Sequence, residues 1–394
     1  MGNDAFVAGV GMIPFLKPGD SLSYDAMGAA AAREALNDAG VGYDAVQQAY
    51  AGYVYGDSCC GQRALYHVGL SGVPIVNVNN NCSTGSTALF LARQAVVSGG
   101  VDCVLAVGFE QMVPGALAMN FTDRPSPLGA LDEATDELCD MPELPMAVRY
   151  FAGAGESHMR RYGTKLETFA KVRAKASRHA VRNPLAMFRR ELSVEDVLAS
   201  APLRPGVMTR LMACPPTCGA AAAVIVSERF ARTHGLSTQV RIAAQAMTTD
   251  MPSTMDARDM IAVIGADLSR RAADAAYAAA GVGPDDIDVV ELHDCFAQNE
   301  LITYEAIGLC GTGEGERFVE DGDNTYGGRY VTNPSGGLLS KGHPLGATGL
   351  AQCYELTHQL RGTAEARQVE GARIALQHNL GLGGACVLTI YARN

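Results

Sequence analysis

The chain contains two versions of one pattern, and that repetition limits its fold more than any other feature. An alanine-rich helical stretch ending in Ala39-Gly40-Val41-Gly42-Tyr43-Asp44 is matched by one ending in Ala280-Gly281-Val282-Gly283-Pro284-Asp285. Each precedes a strand-like run. Further on, Cys82-Ser83-Thr84-Gly85-Ser86-Thr87-Ala88-Leu89 parallels His343-Pro344-Leu345-Gly346-Ala347-Thr348-Gly349-Leu350, with Gly, Thr and Leu at the same offsets. The matches come in the same order in both halves, which favours a duplicated α/β unit over chance similarity between Ala- and Gly-rich stretches. Cys82 and His343 then begin equivalent helices related by a pseudo-twofold axis.

Apolar runs alternating with helical periodicity fit an α/β chain. Strands are expected over 6–9, 103–107, 222–227, 289–292, 374–376 and 387–391, and helices over 25–39, 86–98, 165–183, 269–280 and 347–360. At 394 residues the chain is too long for one simple core. A net charge of −11 argues against non-specific nucleic-acid binding. Eleven cysteines without CxxC pairs disfavour structural zinc and fit a reducing cytoplasm. Residues 1–6 lack a signal-peptide pattern, and Phe6 stands where a myristoylation motif after Gly2 wants Ser or Thr. No apolar run is long enough to span a bilayer, and Tyr391-Ala392-Arg393-Asn394 is not a peroxisomal address.

Residues 145–190 carry eleven Lys and Arg against only Glu156 and Glu167. For any single residue a solvated helix face is the better reading. Such a concentration in an acidic chain is better explained by a polyanion, either a phosphate-bearing coenzyme or an acidic partner subunit. Lys175, Arg178 and Arg182 are the candidate phosphate ligands.

Four segments carry chemistry. Cys82 lies between Asn79-Asn80-Asn81 and a helix start, where the macrodipole favours thiolate. His343 sits in a glycine-dense loop, fit to take a proton from Cys82. His293-Asp294-Cys295-Phe296 follows a strand, and the carboxyl ends of strands in open α/β sheets are where ligands bind. Cys295 there suits acid/base work at a substrate carbon. Metal ligation by His293 and Cys295 is the rival, and no matching ligand pair is visible, so no metal is expected. Last, His378-Asn379-Leu380-Gly381-Leu382-Gly383-Gly384 follows a strand as a loop whose N–H groups suit an oxyanion hole.

Together these segments resemble the four catalytic loops of the thiolase superfamily, over essentially the whole chain. Gly56-Asp57-Ser58, Cys60-Gly61-Gln62-Arg63-Ala64, residues 77–82, 291–296, 323–328, 333–343 and 376–381 carry the resemblance, which is closest to the sterol-carrier-protein (SCP-x type) thiolases. It implies an α/β thiolase fold: two pseudo-symmetric halves in five α-β-α-β-α layers with an inserted loop domain. The expected parts are 1–116 completed by 213–248, a coenzyme A-binding loop domain over 117–212, and 249–394. It implies an acylated Cys82 activated by His343, backbone N–H groups of Cys82 and Gly381 in one oxyanion hole, and His293 near the other. Where other thiolases carry a second cysteine this chain has Asn379, so the resemblance hands the α-carbon proton to Cys295. It also implies a homodimer paired through the strand near the nucleophile. Coenzyme A serves as co-substrate, with no permanently bound cofactor. Thr217-Cys218-Gly219 departs from the family's Ser-Asp-Gly and is expected to be structural. The fused sterol carrier domain of animal members is expected to be absent.

The reaction so implied is cleavage of 3-oxoacyl-CoA by free coenzyme A to acyl-CoA plus acetyl-CoA or propionyl-CoA. Two alternatives stand beside it: a retro-aldol lyase acting on steroid side-chain CoA esters, and a non-catalytic acyl-CoA-binding scaffold. Retained Cys82, His293 and His343 count against both.

Overall fold

Duplication in the sequence becomes duplication of strand order in the computed structural model, which describes residues 4–113 and 121–394. The expected boundary at 116–117 and the Gly2 reading lie outside the described residues. In chain order the main strands are β1 (Ala5–Met12), β2 (Gln48–Gly52), β3 (Ile75–Val78), β4 (Cys103–Glu110), β5 (Gly219–Ser227), β6 (Val240–Thr248), β7 (Val289–Glu291), β8 (Val331–Thr332), β9 (Ile374–Gly381) and β10 (Ala385–Arg393). They form one ten-stranded sheet in the order β3-β2-β4-β5-β1-β6-β10-β9-β7-β8. Each strand of the first half has its counterpart five numbers later. Parallel and antiparallel pairings match: β2 runs parallel to β3 and β4 as β7 does to β8 and β9, and β5 is antiparallel to β1 and β4 as β10 is to β6 and β9. A single register pair, Phe6 with Arg241, joins the halves.

The helices that matter for the site are α1 (Tyr24–Ala39), α2 (Thr84–Val97), α3 (Met146–Tyr162), α4 (Leu166–Val181), α5 (Ala266–Ala280), α6 (Ala297–Ala306) and α7 (Thr348–Arg361). The repeated Ala-Gly pairs are helix stops. Gly40 ends α1 at φ +74° and Gly281 ends α5 at φ +70°, left-handed conformations that cost glycine little.

Side-chain alternation along the strands sets the layers. On β5, Ala220, Ala222, Val224 and Val226 share a core with Ala31, Ala32 and Ala35 of α1. Ala221, Ala223 and Ile225 face the other way, into a core with Ala88 and Leu89 of α2 and Leu350 and Ala351 of α7. Ala375 of β9 and Tyr391 of β10 reach that central core from the second half, while Leu376, Leu388 and Ile390 pack outward with Leu268 and Ala272 of α5. The layers are therefore α1, half-sheet, α2 with α7, half-sheet, α5. Small residues let the central helices close up: a Cβ at Gly349 would fall 2.1 Å from Ser86 Oγ and 2.2 Å from the Ser86 backbone nitrogen.

Two expectations about organisation change. Residues 240–248 pair along their length with β10, so they belong to the C-terminal half rather than completing the first. Among the described residues, the apolar side chains of the insert also have no core of their own. Phe151, Phe169, Val207 and Met208 share one with Phe296, Leu301 and Tyr304, because α3 and α4 pack on α6.

Candidate active site

Cys82 closes the turn between β3 and α2. Asn81 holds a left-handed backbone at φ +50°, and the N–H groups of Ser83 and Thr84 donate to Asn80 O and Asn81 O at 3.1 Å each. Gly381, at the end of β9, lies against this turn: a Cβ there would fall 2.3 Å from Asn80 O and 2.8 Å from Ser83 Oγ. Position 381 therefore excludes any side chain.

His343 lies just before α7. Its backbone N–H donates to Thr217 Oγ1 at 3.1 Å, so the departing Thr217-Cys218-Gly219 segment supports the histidine loop directly. The His343 Nδ1 lies 2.7 Å from Thr348 Oγ1, whose own hydroxyl donates to Pro344 O at 3.0 Å. With that proton directed away, Thr348 can only accept from the ring. Nδ1 therefore carries the hydrogen and Nε2 presents a bare lone pair. That Nε2 is buried and unpartnered.

Cys82, His343 and His293 converge, one ligand-type atom from each lying within 4.8 Å of the others. The two imidazoles meet edge to face, 5.0 Å apart at 84°. Cys295 is buried beside them, and its carbonyl accepts the Cys214 N–H at 2.8 Å. The fourth segment differs from expectation. His378 and Asn379 are residues of β9 itself, not of a loop after it, because the ladder with β10 continues to Gly381.

Electrostatics reverse one expectation. Burial, with Glu110 nearby, pushes the Cys82 thiol up to about 12. The resting nucleophile is therefore a thiol. Burial, with Lys341 adding to it, lowers His343 to about 3, so its imidazole is neutral at neutral pH. A protonated thiol beside a bare imidazole is a nucleophile paired with the base that can activate it. Cys295 is pushed well up by burial, then by Cys214, Cys82 and Asp294. Glu110 is raised by burial to about 7. Its carboxylate accepts N–H groups of Val54, Tyr55 and Gly346 at 3.1, 2.9 and 3.0 Å, tying the loop after β2 to the loop before α7.

A pH prediction follows from those directions. His343 has a depressed pKa, so its base form persists as pH falls through the ordinary histidine range. The rate of acyl transfer to Cys82 should show no loss centred near the usual histidine value of about 6.5. An inflection near neutrality should belong to Glu110 and vanish in Glu110→Gln. An inflection that survives in that variant would contradict the assignment. Stopped-flow acylation at several pH values reads it.

The basic stretch is partly neutralised across the fold. Arg149 pairs with Asp136, Arg161 with Asp259, Lys165 with Glu316 and Lys171 with Glu320. Lys175 is buried, its ammonium bonded to Glu300, to Thr332 Oγ1 at 2.7 Å and to Tyr304 OH at 3.2 Å. It is removed as a phosphate ligand, because reaching one would leave Glu300 buried and unpaired. Arg178 and Arg182 remain exposed, the latter 4.4 Å from the Tyr326 ring.

Thr348, Glu110 and Cys214 were not singled out from sequence. A signal existed for Thr348. It matches Thr87 in the repeat, and both hydroxyls donate four residues back, to Pro344 O and Ser83 O, at 3.0 Å.

Two family models match the chain: thiolase N-terminal domain over residues 5–229 and thiolase C-terminal domain-like over 246–391. Sterol carrier protein 2 of Rattus norvegicus is 54% identical across 98% of this chain and 71% of its own length. Acetyl-CoA acetyltransferase of Methanothermobacter thermautotrophicus is 35% identical across 99% of this chain and 100% of its own. Among solved structures, the Ltp2-ChsH2(DUF35) aldolase is similar at a TM-score of 0.82 and 23% identity, covering 99% of this chain and 98% of that one, a likeness of fold. The chain belongs to the thiolase family and is an acyltransferase. A human mitochondrial 3-ketoacyl-CoA thiolase solved in complex with CoA is similar at a TM-score of 0.73 and 21% identity, covering 100% of this chain and 98% of that one, again a likeness of fold. Among the described residues no helix is long and apolar enough to cross a membrane.

Proposed function

We propose that the protein cleaves 3-oxoacyl-CoA with free coenzyme A through an acyl-Cys82 intermediate. The observation that carries this reading is the bare Nε2 of His343 in the cluster with Cys82 Sγ and His293. The Cys82 thiol attacks the 3-oxo carbon as His343 Nε2 takes its proton. The Cα–Cβ bond then breaks, and its electron pair passes to Cα as a thioester enolate. His293 and the newly protonated His343 donate to the enolate oxygen. The N–H groups of Cys82 and Gly381 donate to the oxyanion formed on the acyl carbon. Cys295 protonates Cα, and acetyl-CoA or propionyl-CoA leaves. Cys295, left as thiolate, takes the proton of the coenzyme A thiol as that sulfur attacks acyl-Cys82; the Cys82 sulfur leaves with the proton held on His343 Nε2, and the acyl group departs on coenzyme A.

Mass spectrometry after mixing with a 3-oxoacyl-CoA tests this. An acyl adduct on Cys82 with release of the shorter CoA ester is expected. Cleavage without an adduct would replace the reading with a lyase, and neither event would leave a binding scaffold.

The proposal extends to the insert and to assembly. Residues 117–212 form the coenzyme A-binding part, with Arg178 and Arg182 as its phosphate contacts. Reversing both charges should raise KM for CoA esters several-fold and change kcat little, since phosphate contacts act about equally in ground and transition states. An unchanged KM at low salt would remove them from the site. β3 is an edge strand with Val76 exposed on it, and a second copy pairing there would cover it, giving a homodimer.

A further inference from the structure

Asn379 breaks the family pattern, and its contacts assign it a task that no proton transfer requires. Its amide nitrogen donates to the Cys82 carbonyl oxygen at 3.1 Å and lies 3.0 Å from His293 Nδ1. A carbonyl oxygen only accepts, so the Cys82 contact fixes which end of the amide is NH₂. The His293 Nδ1 must then be the acceptor. The other end is fixed independently. Asn379 Oδ1 accepts the Ser86 hydroxyl at 2.8 Å, and Ser86 Oγ accepts from Gln377 Nε2 at 2.7 Å. Gln377 Nε2 also donates to Gly349 O at 2.7 Å, which anchors that amide in its turn, and Tyr391 OH donates to Gln377 Oε1. Every link has one allowed polarity. The chain starts on β10, crosses β9 and α2, and ends at the ring of His293.

We infer that Asn379, held by Ser86, Gln377 and Tyr391, is a positioning residue that locks His293 in the tautomer bearing its hydrogen on Nε2. In the neutral ring only one nitrogen donates. With Nδ1 accepting from Asn379, the donor is Nε2–H, the atom left to face a substrate oxygen. Burial and the neighbouring His343 and His378 hold His293 neutral, which is why the tautomer matters. The same polarity takes His293 out of any metal set with Cys82 and His343, since a ligand nitrogen must offer a lone pair. This role rests on the proposed function only in naming the oxygen that Nε2–H meets.

The test reads the tautomer directly, by ¹⁵N NMR of histidine-labelled protein, with His293→Gln identifying the signal. In the native protein the His293 Nε2 should be the protonated nitrogen. Asn379→Asp puts a carboxylate oxygen where the NH₂ was, and should move the hydrogen to Nδ1. It should also lower kcat about 100- to 1,000-fold, the usual loss for one oxyanion-hole donor, with KM for the CoA ester changed far less. Ser86→Ala removes the partner of Oδ1 but leaves the Cys82 carbonyl holding the NH₂ end, so the hydrogen should stay on Nε2. A native His293 protonated on Nδ1 overturns the inference without any variant having to fold. So does an Asn379→Asp protein whose His293 is unchanged. Because NMR reads the ring without substrate, absence of thiolase activity would count against the proposed reaction and leave this measurement standing.

Discussion

Cys82→Ala should abolish acyl transfer and leave the fold standing. The thiol clusters with the bare Nε2 of His343, and Asn81, Ser83 and Thr84 hold the turn through backbone contacts that alanine keeps. Loss of an activated nucleophile costs several orders of magnitude in kcat. The substitution removes one sulfur from a half-buried residue, so thermal unfolding should shift by only a few degrees, corresponding to about 1 kcal/mol or less. Purified variant that turns over 3-oxoacyl-CoA at near-native rate would end the acyl-cysteine reading. A variant that is inactive and also unfolded would be read instead through Cys82→Ser, whose hydroxyl fills nearly the same space and is a far weaker nucleophile.

Much of this site was legible in the sequence because the repeat makes Cys82 and His343 equivalent. The two helix starts face each other in the central layer, and glycine at 349 lets them touch. Strands and helices with strong periodicity were also legible: β5 extends the expected 222–227 back to Gly219 through Ala220 and Ala221, which favour helix by propensity but are buried here. β6 escaped notice because Arg241 and Gln245 interrupt its apolar run and its partner lies about 140 residues on. The same distance hid the neutralisation of the basic stretch. Lys175 meets Glu300, and Lys165 meets Glu316, only after α4 packs on the second half. The direction of the Cys82 shift was missed for a different reason. A helix start is visible in sequence, but the desolvation that raises the thiol depends on the surrounding packing. Asn379 was read as a missing cysteine. Only geometry reveals an amide with both ends in use.

That use leaves the α-carbon proton without an owner at position 379, and Cys295→Ser should show who owns it. The Asn379 amide bonds Cys82 O, His293 and Ser86, and an amide does not exchange a proton near neutral pH. Cys295 is buried just ahead of α6, and its thiol is pushed well above the ordinary range by burial. A thiol of that kind is protonated at rest, which suits a donor to the carbanion formed in cleavage. Acyl transfer from a simple acyl-CoA to Cys82 needs only Cys82 and His343, so the serine variant should still form acyl-enzyme. Cleavage of 3-oxoacyl-CoA and exchange of α-protons with deuterium oxide should fall by about 100- to 10,000-fold, the usual contribution of a positioned acid/base. Cys214 provides the control, since its N–H meets the Cys295 carbonyl and its own thiol is pushed up beside Cys82. If Cys214→Ser loses exchange while Cys295→Ser keeps the native rate, the proton belongs to Cys214 and the role given to Cys295 is wrong.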